Sequence, residues 1–324
     1  MYNFVIISSS SDYYDAAYHD ITHLSNVDYI RDLFETSNIF LKIFFKINYY
    51  FQGKMFPRNP LRSILNRFLF KSKFDNDYPI CFVFTERVLF LYNYGFIDFL
   101  RTSHPNAKFV CYLQDLGETI ENVNLNSIFN EFDLSISYDK FEAKKYNILY
   151  YPTPYSIYPF KEKKNLPQSD VFFVGRAKNR LNDIIKSYEK LTQMGLSCDF
   201  HITDVDPNNQ KYSEFINYNS RLTYEENLEH IMNTKCIFEV MQKGASGYTL
   251  RTWEAIFYGK LLLTNNKVIN QAPFYKKKYI FVYETPEDFD ERFHDNSKMK
   301  INYNYKEKLN PMCFLDFIGI NLNN

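Results

Sequence analysis

The chain has 324 residues, which is enough for two domains of ordinary size, each with its own hydrophobic core. Its 38 basic and 38 acidic residues give a formal net charge of zero. A dedicated nucleic-acid-binding protein normally carries a strong basic excess, so we expect no nucleic acid among its partners. The five cysteines are scattered and odd in number, which favours free thiols in a reducing compartment over a disulfide framework or a zinc site.

The first apolar run, from Phe4 to Ile7, has no basic leader before it and no small-residue cleavage site after it. This pattern predicts a first β-strand rather than a signal peptide. No apolar stretch approaches the ~20 residues that a membrane-spanning helix needs. The sequence therefore predicts a cytoplasmic protein, either free or held peripherally at the inner face of the cell membrane.

Apolar runs alternate with helical patterns along the whole chain, which is typical of α/β proteins with parallel sheets. In the first half, the predicted strands cover residues 4–7, 80–85, 109–113, 134–137 and 148–150. In the second half, they cover residues 171–174, 198–202, 236–240, 261–264 and 280–283. Helical patterns such as 182–194 and 224–232 lie between them. The two sets predict two doubly wound, Rossmann-like domains.

A break separates the two sets of strands. Pro152 and Pro154, followed by the charged run 161–165, are poor core material and typical of a linker. The last segment of the chain is apolar and has a helical pattern. The predicted division is a first domain over 1–155, a second over 156–305, and a terminal helix over 306–324.

The most informative stretch runs from Lys243 to Asn265, where a loop of small residues leads into a helical pattern with Arg251 and Glu254. Small residues let backbone N–H groups approach an anion, and a helix N-terminus adds a partial positive charge. Arg251 can neutralise phosphate with its planar fork, and Glu254 can accept hydrogen bonds from sugar hydroxyls. We interpret the stretch as a phosphate site. An ordinary loop–helix–strand unit would explain the glycines but not the arginine–glutamate pair.

The same stretch resembles the carboxyl-terminal nucleotide-sugar signature of GT-B glycosyltransferases, in particular the bacterial enzymes that build lipopolysaccharide core and capsule. The positions that match this signature are Gly247, Tyr248, Thr249, Leu250, Glu254, Ala255, Gly259 and Lys260. Ser246 stands where many retaining members carry a glutamate, so both inversion and retention of configuration stay open. The implied donor-binding residues are Ser246, Gly247, Tyr248, Thr249, Leu250, Arg251 and Glu254, with Glu254 on the ribose.

The resemblance implies a GT-B fold, in which an N-terminal acceptor-binding domain and a C-terminal nucleotide-sugar-binding domain face a cleft. The terminal helix then crosses back to the first domain. The implied activity is transfer of a sugar from a nucleotide-sugar to a bacterial surface glycan or glycolipid. The alternative is a non-catalytic relative that binds nucleotide or glycan and supports a partner glycosyltransferase, which Ser246 and the serine-rich first turn keep open.

Two further strand ends are candidates for donor contacts, because ligands of doubly wound sheets bind outside the carboxyl ends of the strands. Gly175 and Arg176 follow the strand 171–174 and are interpreted as a phosphate-facing loop. The alternative is a turn glycine beside a solvated basic residue. By resemblance, Thr203 and Asp204 line the pocket for the base.

Asp204 and Asp206 form an Asp-x-Asp pair that could hold a divalent cation bridging the diphosphate. The same pattern also occurs at residues 75–77 and 288–290, so the match has little weight. Basic side chains and a helix terminus are already expected to face the diphosphate. We therefore predict transfer that needs no metal and no cofactor other than the nucleotide-sugar donor.

Activation of an acceptor hydroxyl needs a general base, which we expect from the first domain. Asp115 is the first candidate because it follows the predicted strand 109–113. Asp12 and Glu86 follow two other predicted strands and are further candidates. The alternative for all three is a structural one, since acidic residues at strand ends commonly cap the next helix.

The segment from Ile39 to Lys73 contains eight basic residues, no acidic ones, and many aromatic and aliphatic ones. A basic, amphipathic helix with aromatic side chains suits the headgroup layer of an anionic bilayer. The segment therefore predicts contact with an anionic membrane surface. The alternative is a helix that packs on the core and exposes its basic face to water.

Overall fold

The structure is a computed structural model of the chain. It describes residues 2–8, 11–33, 39–40, 43, 46–47, 70, 73–74, 78–85, 91, 95–114, 125–159, 166–219, 221–242, 247–289 and 300–323. Contacts between residues divide the chain into two compact units. The first unit consists of Met1–Ser156 and Leu309–Asn324, and the second of Ile157–Lys308.

The first unit contains a six-stranded parallel sheet. Its strands are β1 (Asn3–Ile7), β2 (Val27–Ile30), β3 (Ile80–Phe84), β4 (Lys108–Leu113), β5 (Leu134–Ser137) and β6 (Leu149–Tyr150). They pair in the order β2-β1-β3-β4-β5-β6. The order reverses between β1 and β3, which makes this position the topological switch point of a doubly wound sheet.

Both faces of the first sheet are buried, as a parallel sheet requires. Successive residues of a strand point to opposite faces, so Val5 and Ile7 join one buried cluster while Phe4 and Ile6 join another. The helices described in this part of the unit are α1 (Asp12–Ala17), α2 (Phe96–Ser103), α3 (Leu125–Phe129) and α4 (Lys140–Tyr146).

The second unit repeats this architecture. Its strands are β7 (Ser169–Arg176), β8 (Cys198–Thr203), β9 (Asn217–Tyr218), β10 (Thr234–Glu239), β11 (Leu261–Thr264) and β12 (Ile280–Val282). They pair in parallel in the order β12-β11-β10-β7-β8-β9. Its described α-helices are α5 (Leu181–Gln193), α6 (Tyr224–Asn233) and α7 (Leu250–Tyr258).

Helix α7 begins and ends where the sequence signals predict. Thr249 is its N-cap, and the threonine hydroxyl accepts a hydrogen bond from the N–H of Arg251 at 3.1 Å. Gly259 ends the helix at φ +63°, in the left-handed region that favours glycine. The buried face of α7 carries Trp253, whose ring lies 5.4 Å from the ring of Phe274. The N-terminus of α7 is therefore held in place by both capping and packing.

The last helix, α8 (Pro311–Leu322), packs on the sheet of the first unit. The ring of Phe314 lies 4.6 Å from the ring of Tyr112 on β4 and 5.0 Å from that of Tyr151. Ile318 is fully buried in the same cluster. The chain thus returns to its first unit after completing the second.

The α/β class predicted from the sequence is confirmed, and each predicted strand is present with its ends shifted by one or two residues at most. Two strands were missed, namely β2 and β9. Both lie at an edge of their sheet, and β9 has only two residues. An edge strand has one neighbour to pair with, so it needs no long apolar run and leaves a weak signal in the sequence.

The cysteines are free thiols, as predicted. Cys81, Cys111 and Cys236 are buried, whereas Cys313 on α8 is exposed. Within the part of the chain that the structure describes, no helix combines the length and the apolar character needed to cross a bilayer.

Candidate functional site

The carboxyl edge of the second sheet brings together the segments that the sequence singled out. β7 and β10 are neighbours in the sheet, although β8 and β9 lie between them in the chain, so the strand order reverses there. Ligands of doubly wound sheets bind outside the strand ends at such a switch point. Arg176 ends β7, Glu239 ends β10, and α7 begins a few residues later. This edge is therefore the candidate site.

Arg251 and Glu254 lie one helical turn apart on α7 and form a buried ion pair. Nη1 of Arg251 donates to Oε2 of Glu254 and, at 3.1 Å, to Oδ1 of Asn227 on α6. Nδ2 of Asn227 donates to Oε1 of Glu254 at 2.8 Å. Glu254 is fully buried, and burial raises the pKa of its carboxyl against the opposing effect of Arg251. Tyr224 is a further hydrogen-bond partner of Glu254, so the network joins four side chains.

This network occupies only one side of the Arg251 guanidinium. Both N–H groups of Nη1 are used, whereas Nε and Nη2 have no partner among the residues that the structure describes. The Nε–Nη2 edge is well suited to two parallel hydrogen bonds with a phosphate or a carboxylate. The Arg251 side chain is 19% exposed, so part of it can be reached from solvent. The arrangement can therefore present a fixed fork to an anion.

The position of Glu254 bears on the ribose contact that the resemblance implies. Both of its carboxylate oxygens already accept hydrogen bonds, and none of its surface is exposed. Because the carboxylate is fully buried under Asn227, Arg251 and Tyr224, a ribose hydroxyl could reach it only if one of these side chains moved. The ribose contact stays a prediction, and the observed role of Glu254 is to hold Arg251.

Arg180 connects the ends of the two strands at the switch point. Its Nη2 donates to the carbonyl oxygen of Arg176 at 3.1 Å, and its Nη1 donates to the carbonyl oxygen of Val240, just after β10. Burial lowers the pKa of Arg180, but an arginine remains charged in proteins. Gly175 leaves space for the Phe173 ring, since an added Cβ would lie 3.3 Å from that ring, while its distance of 3.5 Å to Nη2 of Arg180 would be an ordinary contact.

The end of β8 lies next to this edge. Thr203 is the buried last residue of the strand, and Asp204 follows it. Asp204 forms an ion pair with Arg176, whose Nε lies 3.0 Å from one carboxylate oxygen, and its other oxygen lies 3.8 Å from Nη2 of Arg221. Asp206 instead caps the next turn by accepting from a backbone N–H at 2.8 Å. The two carboxylates of the Asp-x-Asp pair therefore have separate structural partners.

The residues just before α7 are held by a hydrogen bond from the segment after β11 and by packing in the hydrophobic core. The carbonyl oxygen of Gly247 accepts from Nδ2 of Asn266 at 3.2 Å. The ring of Tyr248 is buried and lies 4.9 Å from that of Phe274. Leu250, the first helical residue, is half-buried. Tyr248 is thus a core anchor for the loop that precedes the helix.

The predicted general bases belong to the first unit. Asp12 begins α1 after β1, close in sequence to the switch point of the first sheet, and its carboxylate accepts from Nη2 of Arg31 at 2.9 Å. Glu86 and Asp115 lie outside the described residues, as does Ser246 of the second unit. The general-base role stays a prediction for all three acids.

A group that the sequence analysis did not single out lies at the other end of β8. Asp199 accepts from Nε2 of His201 at 2.9 Å and from Nδ1 of His230, on α6, at 2.5 Å. These three side chains have the ligand types of a metal site. Around a tetrahedral Zn²⁺, however, ligand atoms lie roughly 3.3 Å apart, because each bond is about 2.0–2.1 Å long. The observed separations are those of hydrogen bonds, so we assign the group as a clamp between β8 and α6.

This clamp makes the stability of the protein depend on pH. Burial would raise the pKa of Asp199, but the hydrogen bonds from the two histidines outweigh burial and hold that pKa well below its ordinary value of 3.8. A depressed carboxyl pKa adds stability that is fully present above 3.8 and is lost as the pH falls further. We expect Asp199→Asn to lower the free energy of unfolding at neutral pH and to approach wild type in acid.

Urea unfolding of both proteins between neutral pH and about pH 3 measures this difference. Asp206→Asn is the matched control, because Asp206 is an exposed cap and asparagine caps equally well. A stability gap for Asp199→Asn that stays constant over this pH range would contradict the assignment.

Comparisons with known proteins support the fold. A scan against protein-family models found no match, and a search of curated proteins found no similar sequence either. Solved structures, in contrast, match over nearly the whole chain. One is an α,α-trehalose-phosphate synthase (UDP-forming) from Burkholderia vietnamiensis, with a TM-score of 0.59 at 10% identity, covering 100% of this chain and 97% of that one.

Two further matches have the same character. An α-glucosyltransferase in complex with UDP and a mismatched DNA has a TM-score of 0.57 at 11% identity, covering 98% of this chain and 99% of that one. A sucrose-phosphate synthase from Thermosynechococcus elongatus has a TM-score of 0.50 at 11% identity, with the same coverage. At these identities the similarity establishes the fold alone. The predicted GT-B class, with two doubly wound sheets, is confirmed.

Proposed function

We propose that the chain is a glycosyltransferase that takes a sugar from a nucleotide-sugar donor. The observation that carries this proposal is Arg251, whose Nε–Nη2 edge has no protein partner within the described residues while Glu254 and Asn227 hold its other side. It lies in the first turn of α7, beside the switch point where the fold binds ligands. In the proposed division of labour, the second unit binds the donor and the first binds the acceptor.

The proposed chemistry needs positive charge against the departing diphosphate. Cleavage of the sugar–phosphate bond increases the negative charge on the leaving nucleotide, so donors placed there in advance lower the barrier. The Arg251 guanidinium supplies such donors, and the N-terminus of α7 adds a partial positive charge, although the backbone N–H of Arg251 is already bonded to the Thr249 hydroxyl. Arg176 is exposed at the end of β7 and would assist after releasing Asp204. Gly247 and Thr203 are proposed to contact the nucleotide through the loop and the base pocket.

The donor base is the first property to establish. The similar solved structures include a UDP-forming synthase and a glucosyltransferase bound to UDP, which makes UDP the first nucleotide to test.

We propose that transfer needs no metal, because arginines and a helix terminus supply the positive charge. Activity that disappears in chelator and returns with magnesium or manganese would contradict this and would bring Asp204 and Asp206 back as ligands.

We propose a bacterial surface glycan, of the lipopolysaccharide or capsule type, as the acceptor. Asp115 is the proposed general base, with Asp12 and Glu86 as the other candidates. The site of action is proposed to be the cytoplasm or the inner face of the membrane. These assignments rest on the resemblance and on strand-end positions in the sequence.

A basic segment would bring the protein to a lipid-linked acceptor. Most of the segment from Ile39 to Lys73 lies outside the described residues, but Ile39, Phe40, Ile43 and Ile47 are exposed apolar side chains beside its lysines. Apolar and basic side chains together suit an anionic bilayer surface.

Replacing the three arginines of the segment by glutamine should release the protein from anionic vesicles in a sedimentation assay. The arginines are Arg58, Arg62 and Arg67. If the wild-type protein never sediments with such vesicles, the basic composition of the segment is explained instead by a helix that packs on the core and exposes its basic face to water.

The experiment that tests the proposed activity is an assay for nucleoside diphosphate released from a panel of nucleotide-sugars. Slow hydrolysis of a nucleotide-sugar without acceptor, and faster release of nucleoside diphosphate when glycan extracts are added, would support the proposed glycosyltransferase activity. Tight nucleotide binding without turnover of any donor would instead support the alternative, a non-catalytic module that serves a partner glycosyltransferase.

A further inference from the structure

Glu239 is a buried acidic side chain at the carboxyl edge of the second sheet, and three hydroxyls donate to it. It is the last residue of β10 and is 2% exposed. Its Oε1 accepts from the hydroxyls of Thr249 and, at 3.1 Å, Thr252, while its Oε2 accepts from the hydroxyl of Thr264. A buried carboxylate that accepts three hydrogen bonds has little capacity left for a ligand. Any effect of Glu239 on a ligand must therefore pass through the residues bound to it.

The first of these paths leads to the N-terminus of α7. Thr249 has one hydroxyl proton, and Glu239 accepts it. The lone pairs of that hydroxyl then point away from the carboxylate, and one of them accepts from the backbone N–H of Arg251 at 3.1 Å. Glu239 thus fixes the direction of the helix cap, and through it the first turn of α7, which carries Arg251.

The second path leads to the loop before the helix. Thr264, at the end of β11, donates to Glu239 and accepts from the backbone N–H of Asn266 at 3.0 Å. Asn266 in turn donates from Nδ2 to the carbonyl oxygen of Gly247 at 3.2 Å. Residues 247–251 are therefore tied to one carboxylate from both sides, by hydrogen bonds that come from two different strands.

The charge of Glu239 is offset at the same edge. Arg180, which bonds the carbonyl oxygens of Arg176 and Val240, lies close enough for the two charges to interact. A buried carboxylate needs such compensation, since leaving it unpaired is costly. Three hydroxyls and a guanidinium thus surround the Glu239 carboxylate beside the proposed diphosphate site.

We propose that Glu239 is a positioning residue for the donor: its carboxylate orients Thr249 and residues 247–251, so that the N-terminus of α7 and Arg251 are preorganised for a diphosphate. The diphosphate as ligand rests on the proposed function, whereas the ordering of residues 247–251 by Glu239 does not. Preorganised donors cost no rearrangement when the ligand binds, which is why a residue without ligand contact can change affinity.

The test begins with Glu239→Gln, which keeps the size of the side chain. Glutamine has one acceptor oxygen and an NH₂ donor, so it cannot accept from threonine hydroxyls on both sides. We expect UDP binding, measured by calorimetry, to weaken at least about tenfold. Thr264→Val should weaken it in the same direction, although Thr264 is fully buried and cannot touch the ligand. The double variant should bind no more weakly than Glu239→Gln, because both changes break one network.

The matched control is Thr234→Val at the opposite end of β10. The Thr234 hydroxyl is also buried and donates to a backbone carbonyl oxygen of β10 at 3.2 Å, so the change removes a similar bond from the same strand. We expect this variant to keep wild-type affinity for UDP. A loss of affinity equal to that of Glu239→Gln would overturn the proposal, because general destabilisation of the strand would then explain both.

Hydrogen exchange supplies a readout that does not need a ligand. Backbone amides of residues 249–252 should exchange faster in Glu239→Gln than in wild type, and at the wild-type rate in Thr234→Val. Unchanged protection, or UDP affinity within about twofold of wild type, would overturn the positioning role. If the wild-type protein binds neither UDP nor another nucleoside diphosphate, the proposed function is contradicted instead. The hydrogen-exchange rates of residues 249–252 would still decide whether Glu239 orders this segment.

Discussion

Replacing Glu254 by alanine should lower the free energy of unfolding by about 3–5 kcal/mol, the usual cost of removing one partner of a buried ion pair. The substitution leaves Nη1 of Arg251 without its carboxylate and Asn227 without the acceptor of its amide group. Both groups are largely shielded from water, so solvent cannot replace the lost bonds in full. Trp253, the single tryptophan, is buried next to Glu254, and its fluorescence reports the unfolding in urea.

Glu284→Ala is the matched control for this prediction. Glu284 pairs with Lys267 at 2.7 Å in the same unit, but both side chains are more than half exposed. Exposed pairs are worth about 0–1 kcal/mol, so the control should unfold nearly like wild type. A double variant, Arg251→Met with Glu254→Leu, should regain part of the loss because it removes both buried charges. Equal stability of Glu254→Ala and Glu284→Ala would show that the ion pair is not buried as described.

Replacing Arg251 by lysine should weaken UDP binding about 10- to 150-fold while changing stability little. Lysine keeps the positive charge for Glu254, but it has no planar fork and cannot offer the Nε–Nη2 edge. The loss of one charge-assisted hydrogen bond, worth about 1.5–3 kcal/mol, corresponds to this range of affinity. Calorimetric titration with UDP measures the affinity, and urea unfolding checks the stability.

Arg101→Lys is the control with the same substitution. Arg101 lies on α2 of the first unit and pairs with Glu131 at 3.4 Å, so its replacement should leave the affinity for UDP unchanged. Wild-type affinity in Arg251→Lys would remove Arg251 from the diphosphate site. The anion would then have to be bound by Arg176, or by backbone N–H groups alone.

The order of strands and helices was predictable because most central strands, such as β3, β4 and β11, are runs of apolar residues. The run 261–264 and the glycine before it located β11 and the end of α7 correctly. The strand β2, with the sequence VDYI, alternates polar and apolar residues at a sheet edge and was missed. Central strands are buried on both faces, and all of them were predicted. Of the four edge strands, β6 and β12 were predicted from short apolar runs, whereas β2 and β9 were not.

The candidate site was predictable only as far as its contacts are local. Arg251 and Glu254 are three residues apart, so their proximity on one helix follows from the spacing. The direction of the Glu254 carboxylate is set by Asn227, 27 residues earlier in the chain, and no local pattern records that contact. The spacing thus predicted the pair itself, whereas the burial of Glu254 and its bond to Asn227 could not be read from it, and the ribose contact of Glu254 stays a prediction.

The sequence around Glu239 carries a signal of a buried, hydrogen-bonded acid. It is the one charged residue in the apolar run CIFEV, and a buried charge requires partners. Those partners, Thr249, Thr252 and Thr264, come from a helix and a strand farther along the chain. A lone acid at the end of an apolar strand therefore indicates a hydrogen-bonded hub, although the sequence does not name its donors.

The central claim is that the second unit binds a nucleoside diphosphate at its switch point, through Arg251. Calorimetric titration of the wild-type chain and of Arg251→Lys with UDP, and then with the other nucleoside diphosphates, tests it most directly. We expect one binding site per chain for at least one of these nucleotides, with an affinity that is weakened in Arg251→Lys and unchanged in Arg101→Lys. Absence of binding for every nucleotide, or binding that is equally tight in Arg251→Lys, would contradict it.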